Sequence, residues 1–92
     1  MKENMSSKNY EIVITKSASK ELHGFSSAVV QRIVPAIRSL SIEPRPNGCK
    51  KLKDSNNRYR IRVGDYRILY LVEDKIKIIE IVGIKNRKEA YE

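Results

Sequence analysis

The stretch YRIRVGDYRILY, residues 59–70, decides the architecture. Side chains along a strand alternate between two faces, so Tyr59, Ile61 and Val63 share one side while Arg58, Arg60 and Arg62 share the other. One face is apolar and the other cationic. Gly64-Asp65 between two such runs suits a two-residue turn with glycine first, which closes them into a hairpin. That register sets Val63 against Tyr66 and Arg62 directly against Arg67. Like charges placed opposite each other destabilise a sheet. The simplest return for that cost is an anion held between the two guanidinium groups.

Downstream of the hairpin, a second turn is expected near Glu73-Asp74, followed by a strand over residues 75–82 (KIKIIEIV) whose early alternation gives way to an apolar run. The three strands make a meander. Upstream, residues 50–57 (KKLKDSNN) are basic and polar, with Leu52 alone expected to be buried, as the anchor of a short strand end or turn. Residues 41–48 (SIEPRPNG), with two prolines and an Asn-Gly pair, form a connection that separates helices from sheet. Before it, Val30, Ile33, Val34, Ile37 and Leu40 recur at spacings of three and four, predicting a core-facing helix that begins near Ser26 or Ser27. Pro35 lies inside that pattern and predicts a kink or a break. A shorter helix, capped by Ser17, runs through Lys20, Glu21 and Leu22 until Gly24 ends it near Phe25. Residues 10–15 (YEIVIT) read as a first strand with one buried face.

The expected fold is α+β: a small single domain with an N-terminal strand and a helical hairpin packed on one face of a mainly antiparallel sheet that ends in the meander. Residues 1–8 are expected to be a flexible tail and residues 9–92 the domain. Ninety-two residues suffice for one core and not for two. No apolar run approaches the roughly 20 residues of a membrane helix, and the polar start MKENMSSKNY lacks the apolar centre of a secretory signal, so the cytoplasm is the expected compartment. Cys49 is the only cysteine, which excludes an intrachain disulfide and leaves His23 without the companions of a zinc site. Neither a metal nor another cofactor is expected.

The formal charge is +8, with a pI near 9.8. Between residues 45 and 72, Arg45, Lys50, Lys51, Lys53, Arg58, Arg60, Arg62 and Arg67 stand against only Asp54 and Asp65, a local +6. Such a patch favours nucleic acid or an acidic protein partner. No paired carboxylates, glycine-rich phosphate loop, HExxH or Ser/His/Asp arrangement can be assembled from the chain. What remains is the arginine face, whose planar, permanently charged guanidinium groups suit a phosphodiester. The tail VGIKNRKEAYE, residues 82–92, leaves the last strand and reads either as a frayed basic terminus or as a segment that bends back to that face. In the second case Lys85 offers an ammonium and Tyr91 a ring on which a base can stack.

Together the YEIVIT strand, the helical stripe ending at Leu40, the P-x-P-x-G-x-KKLK connection, the YRIRVGDYRILY hairpin and the Gly83 to Tyr91 tail resemble the toxins of the RelE/ParE superfamily from toxin-antitoxin pairs. The likeness spans nearly the whole chain, and the hairpin is its most specific part. It implies a ribosome-dependent endoribonuclease, an mRNA interferase that enters the ribosomal A site and cuts the bound mRNA by attack of a 2′-hydroxyl on the adjacent phosphate. It also implies an acidic cognate antitoxin and, through that complex, contact with operator DNA. Carried over by motif position, the catalytic set is Arg60, Arg62, Arg67, Lys85 and Tyr91, with Lys50, Lys51, Lys53, Arg58, Arg87 and Lys88 as further RNA contacts.

Two departures from the family matter. Several relatives carry lysine at the position of Arg62, and an arginine, with a pKa above about 12, is a poor base. The histidine common just after the tail glycine is Ile84. The general base therefore stays unassigned, and slow or strictly ribosome-dependent activity is the expected consequence. A gyrase poison of the ParE kind, with the same fold and no nuclease activity, is the alternative. The retained arginines, Lys85 and Tyr91 argue for the nuclease. A non-enzymatic basic binding module is a third reading, and it leaves the facing Arg62 and Arg67 unexplained.

Overall fold

The computed structural model describes residues 9–53 and 56–86; the expected tail at residues 1–8 lies outside them, as does everything beyond Asn86. The elements are β1 (Glu11–Ile14), α1 (Lys16–His23), α2 (Ser27–Ser39), β2 (Lys50–Lys51), β3 (Arg58–Val63), β4 (Tyr66–Glu73) and β5 (Ile78–Asn86). The strands form one sheet in the order β1-β5-β4-β3-β2. β1 runs parallel to β5, and the other pairs are antiparallel. Parallel neighbours need a crossover, and the two helices supply it.

The first helix is capped by Thr15, whose hydroxyl accepts the amide of Ala18 at 3.1 Å, and not by the expected Ser17, which lies inside the helix. Thr15 also donates its own amide to the Ile81 carbonyl at 3.0 Å, so a single residue ends the strand pairing and starts the helix. The second helix begins as predicted, with the Ser26 hydroxyl accepting the amide of Val29. It runs to Ser39 without the break that Pro35 suggested. Pro35 is solvent-exposed, and the Gln31 carbonyl it leaves without an i+4 donor belongs to an exposed residue that water can reach.

Ile33, Ile37 and Leu40 of the predicted stripe are buried together with Ala18 of α1, against Tyr59, Ile61, Ile68, Tyr70, Val72, Ile79, Ile81 and Ile84 of the sheet. Fully burying an aliphatic side chain of this size contributes about 1.5–3 kcal/mol, so this single layer supplies the main driving force for the fold. The hairpin has the expected register, with Arg62 opposite Arg67 and Val63 opposite Tyr66. Gly64 has φ +60 while Asp65 does not enter the positive region, as a turn with glycine in first place requires.

Three further expectations are corrected. The last strand begins at Ile78 and not at Lys75, because residues 74–77 form the turn; Lys77 adopts φ 57 there, its carbonyl accepts the Glu11 amide at 2.8 Å and Ile76 is exposed. The same strand continues through Asn86, so Lys85 belongs to the sheet and does not bend back from a tail. The basic segment after Gly48 contributes a two-residue edge strand, with Lys50 paired to Arg60 and Lys51 to Tyr59, and Leu52 is only partly buried.

A polar clasp ties the connection after α2 to the sheet. Arg45 donates to the Tyr59 hydroxyl at 3.0 Å and to Asp74 at 2.8 Å, Tyr10 donates to Asp74 at 2.6 Å, and the buried Tyr70 donates to the Pro44 carbonyl at 2.8 Å. The Arg45 guanidinium, then the Tyr10 hydroxyl, hold the Asp74 carboxyl below its usual range. Burial is the main cause that pushes the Tyr70 phenol up.

Candidate functional site

The helices cover one face of the sheet, and the arginines lie on the other. Each cross-strand pair carries its side chains to the same face, so the register can be read as rows running across the sheet. One row is Arg62 on β3, Arg67 on β4 and Lys85 on β5, three cations on adjacent strands. The next row on this face, two residue pairs further from the turn, is Lys50, Arg60, Leu69 and Gly83. Beyond it come Arg58, Leu71 and Glu80.

Lys85 reaches its row only because of an irregularity in β5. Leu69 pairs with Gly83 and Tyr70 with Ile81, leaving Val82 as an extra residue that shifts the alternation by one. Before the bulge, Ile79 and Ile81 face the helices; after it, Ile84 does, so all three are buried. With unbroken alternation Lys85 would point into the core. The apolar run that replaces alternation in the sequence of this strand is the trace of that bulge.

The expected site residues divide as follows. Arg62 is exposed, and Arg67 and Lys85 are half-buried. Arg60 stands on the same face but is only 6% exposed and is engaged within the protein, so it provides a fixed charge beneath the surface more than a group with reach. Lys50 shares its row. Arg58 sits two rows from Arg62, and Lys51, paired with Tyr59, is carried to the opposite face. Lys53 lies in the turn between β2 and β3 and is exposed. Tyr91, Arg87 and Lys88 lie outside the described residues.

At the hairpin end, Arg62 and Arg67 line a recess of about 100 Å³ with Gly64, Asp65 and Tyr66. Phe25, from the link between the helices, packs its ring 4.9 Å from that of Tyr66 and so braces this end of the hairpin from the helical side. At the other end of the row, Glu21 of α1 accepts the Ile84 amide at 2.8 Å with one carboxylate oxygen and the Lys85 ammonium with the other. Arg32 of α2 brings its guanidinium close to Gly64, 3.6 Å from where a Cβ would stand. The sequence reading assigned no role to Glu21 or Arg32. Each lies in a helix whose local pattern gives no hint of a strand many residues later. Among the described residues no group of three or more acids, histidines or cysteines could hold a metal ion, and no helix is long and apolar enough to cross a membrane.

A row of three cations with a recess lined by two of them can take an oxyanion: paired guanidinium groups can grip two oxygens, and an ammonium beside them can donate to a third. The chain is similar in sequence and fold to known proteins throughout this region. The family model described as ParE toxin of type II toxin-antitoxin system, parDE, matches residues 12–91. RelE1 of Methanocaldococcus jannaschii is 31% identical over 85 residues, which span 89% of this chain and 94% of that one. A RelE chain crystallised as an archaeal RelE–RelB complex from Pyrococcus horikoshii is 33% identical, with a TM-score of 0.78 over 89% of this chain and 99% of the other. The isolated RelE toxin of E. coli, at 20% identity, shares the fold with a TM-score of 0.77 over 88% of this chain and 87% of that one.

Proposed function

The chain belongs to the ParE toxin family of type II toxin-antitoxin systems, within the RelE/ParE superfamily, and from that premise we propose that it is a RelE-like mRNA interferase that cuts mRNA in the ribosomal A site. The observation that carries this reading is the Arg62–Arg67–Lys85 row. In the reaction the 2′-oxygen of one nucleotide attacks the adjacent phosphorus. The O2′–P bond forms and the P–O5′ bond breaks, leaving a 2′,3′-cyclic phosphate and a 5′-hydroxyl. One proton leaves the 2′-oxygen and one is delivered to the 5′-oxygen.

Arg62 and Arg67 hold the non-bridging oxygens, whose charge grows in the transition state, and that stabilisation is the largest single contribution such a site can make. Lys85 delivers the proton to the departing 5′-oxygen. Tyr91 stacks on a neighbouring base, and Lys50, with the other basic side chains of this region, tracks the backbone. Because arginine does not give up its proton at physiological pH, the row lacks a proton acceptor for the 2′-hydroxyl, and the reading is therefore of cleavage that depends on the ribosome to orient the message. The relatives crystallised with RelB support an acidic antitoxin as partner, which would compete for the same cations and, through its complex with the toxin, reach operator DNA. The cytoplasm is the compartment where both partners are found.

A gyrase poison is the second reading, favoured by the ParE description of the matching family. Induction of the wild type and of Arg67→Ala, with primer extension on a translated message and a gyrase-cleavage control, separates the two. Cuts within codons that require translation and vanish with Arg67→Ala are expected. Growth arrest with trapped gyrase complexes and no such cuts would replace the nuclease by the poison.

A further inference from the structure

We propose that Glu21 is a positioning residue for Lys85, setting the ammonium beside Arg67 so that it faces the scissile phosphate; the inference rests on the nuclease reading. Lysine is a point charge on a flexible four-carbon stem, and left alone beside two arginines it would swing away from them. Here both ends of the stem are constrained. At the head, Glu21 accepts from Lys85, and the carboxylate is itself fixed by the Ile84 amide at 2.8 Å. Along the stem, Gly83 leaves a trough: a Cβ there would stand 3.5 Å from Cε of Lys85 and 3.4 Å from Cδ1 of Leu69.

The place that Glu21 occupies is one the strand order leaves open. β1 pairs with β5 only as far as Ile81, through the Thr15 amide, and beyond that point the outer edge of β5 has no strand beside it among the described residues. Helix α1 brings Glu21 to that edge, where it pairs the Ile84 amide and the ammonium at once. An ordinary surface ion pair must immobilise two mobile side chains and contributes little. This one has a carboxylate already anchored to backbone and 25% exposed. An ammonium carries three N–H donors, so giving one to Glu21 leaves two for the phosphate and the leaving oxygen.

The sign of the charge separates positioning from binding. A carboxylate next to an incoming phosphodiester opposes RNA binding, so its removal should leave affinity unchanged or improved while the chemical step slows. The test is single-turnover cleavage of mRNA on programmed ribosomes by the wild type, Glu21→Gln, Lys85→Ala and the double variant. The Glu21→Gln side chain keeps an acceptor for the Ile84 amide and loses the charge that holds Lys85. The expected result for Glu21→Gln is a rate constant about tenfold lower with a half-saturating ribosome concentration equal to or below that of the wild type. In the Lys85→Ala background the same substitution should cost nothing further. A Glu21→Gln rate within about twofold of the wild type, or a loss that persists in the Lys85→Ala background, overturns the positioning role and leaves the nuclease reading standing. No cleavage by the wild type overturns the nuclease reading and the inference together.

Discussion

Asp74 shows how a single residue couples the loop after α2 to the sheet. Its carboxylate receives Arg45 and Tyr10 and is thereby held below its ordinary value of 3.8. A depressed carboxyl stabilises the fold above the unfolded value, and that contribution disappears as pH falls through the folded value. Thermal midpoints measured on descending from neutral pH should therefore hold until near pH 3.8 and then fall, and Asp74→Asn should remove that part of the slope. With the Asp74 side chain 54% exposed, the effect should be less than about 1 kcal/mol. A slope identical in Asp74→Asn would mean that the clasp carries no linkage. At the same scale, Arg60 and Arg62 are two residues apart on one strand and share a face, yet one is buried and the other exposed. Alternation names the face of a side chain; depth depends on what lies over it.

At the scale of elements, the bulge in β5 is the device that brings Lys85 into the candidate site. Inserting one alanine between Val82 and Gly83 should carry every later residue of β5 on by one position, turn Lys85 toward the helices and bring Ile84 to the open face. The expected outcome is loss of cleavage together with a destabilisation of several kcal/mol, comparable to burying an unpaired charge. Urea unfolding and cleavage assays on the same preparation measure both; a stable, active insertion variant would show that the register of β5 can slip without consequence. Helix α2 makes the opposite point. Pro35 stands on its exposed side at a position where the helix would accept almost any residue, so Pro35→Ala should gain a backbone hydrogen bond to Gln31 and lose some rigidity of the unfolded chain. The net expected gain is about 1–2 kcal/mol in denaturant unfolding. No gain would mean that Pro35 is favoured by the packing around it.

For the whole molecule, charge placement matters more than the total of +8. If Arg62, Arg67 and Lys85 each neutralise a phosphate, the logarithm of the affinity for single-stranded RNA should fall against the logarithm of salt concentration with a slope near −2 from these three, and Arg67→Ala should reduce the slope by about 0.7. A filter-binding titration with catalysis blocked reads this directly, and an unchanged slope would remove Arg67 from the phosphate contacts. Two carboxylates bracket the row, Glu21 at the β5 end and Asp65 in the turn. The row is thus a local feature held between acids, and on the nuclease reading the surrounding charge would steer RNA toward it without defining where it is cut.

The sequence by itself determined the hairpin, its turn and the opposition of Arg62 to Arg67, because strand alternation and turn chemistry are local and act over a few residues. It also determined the helical stripe that covers one face of the sheet, since a period of three and four needs no partner to be read. Only the tertiary structure decided that β1 lies parallel to β5, that Val82 bulges to deliver Lys85 to the row, and that Glu21 meets Lys85 across 64 positions of chain. Those features arise from packing between segments far apart in sequence: the bulge is selected by keeping Ile79, Ile81 and Ile84 all in the core, and the Glu21 contact by where the crossover leaves the edge of β5 open.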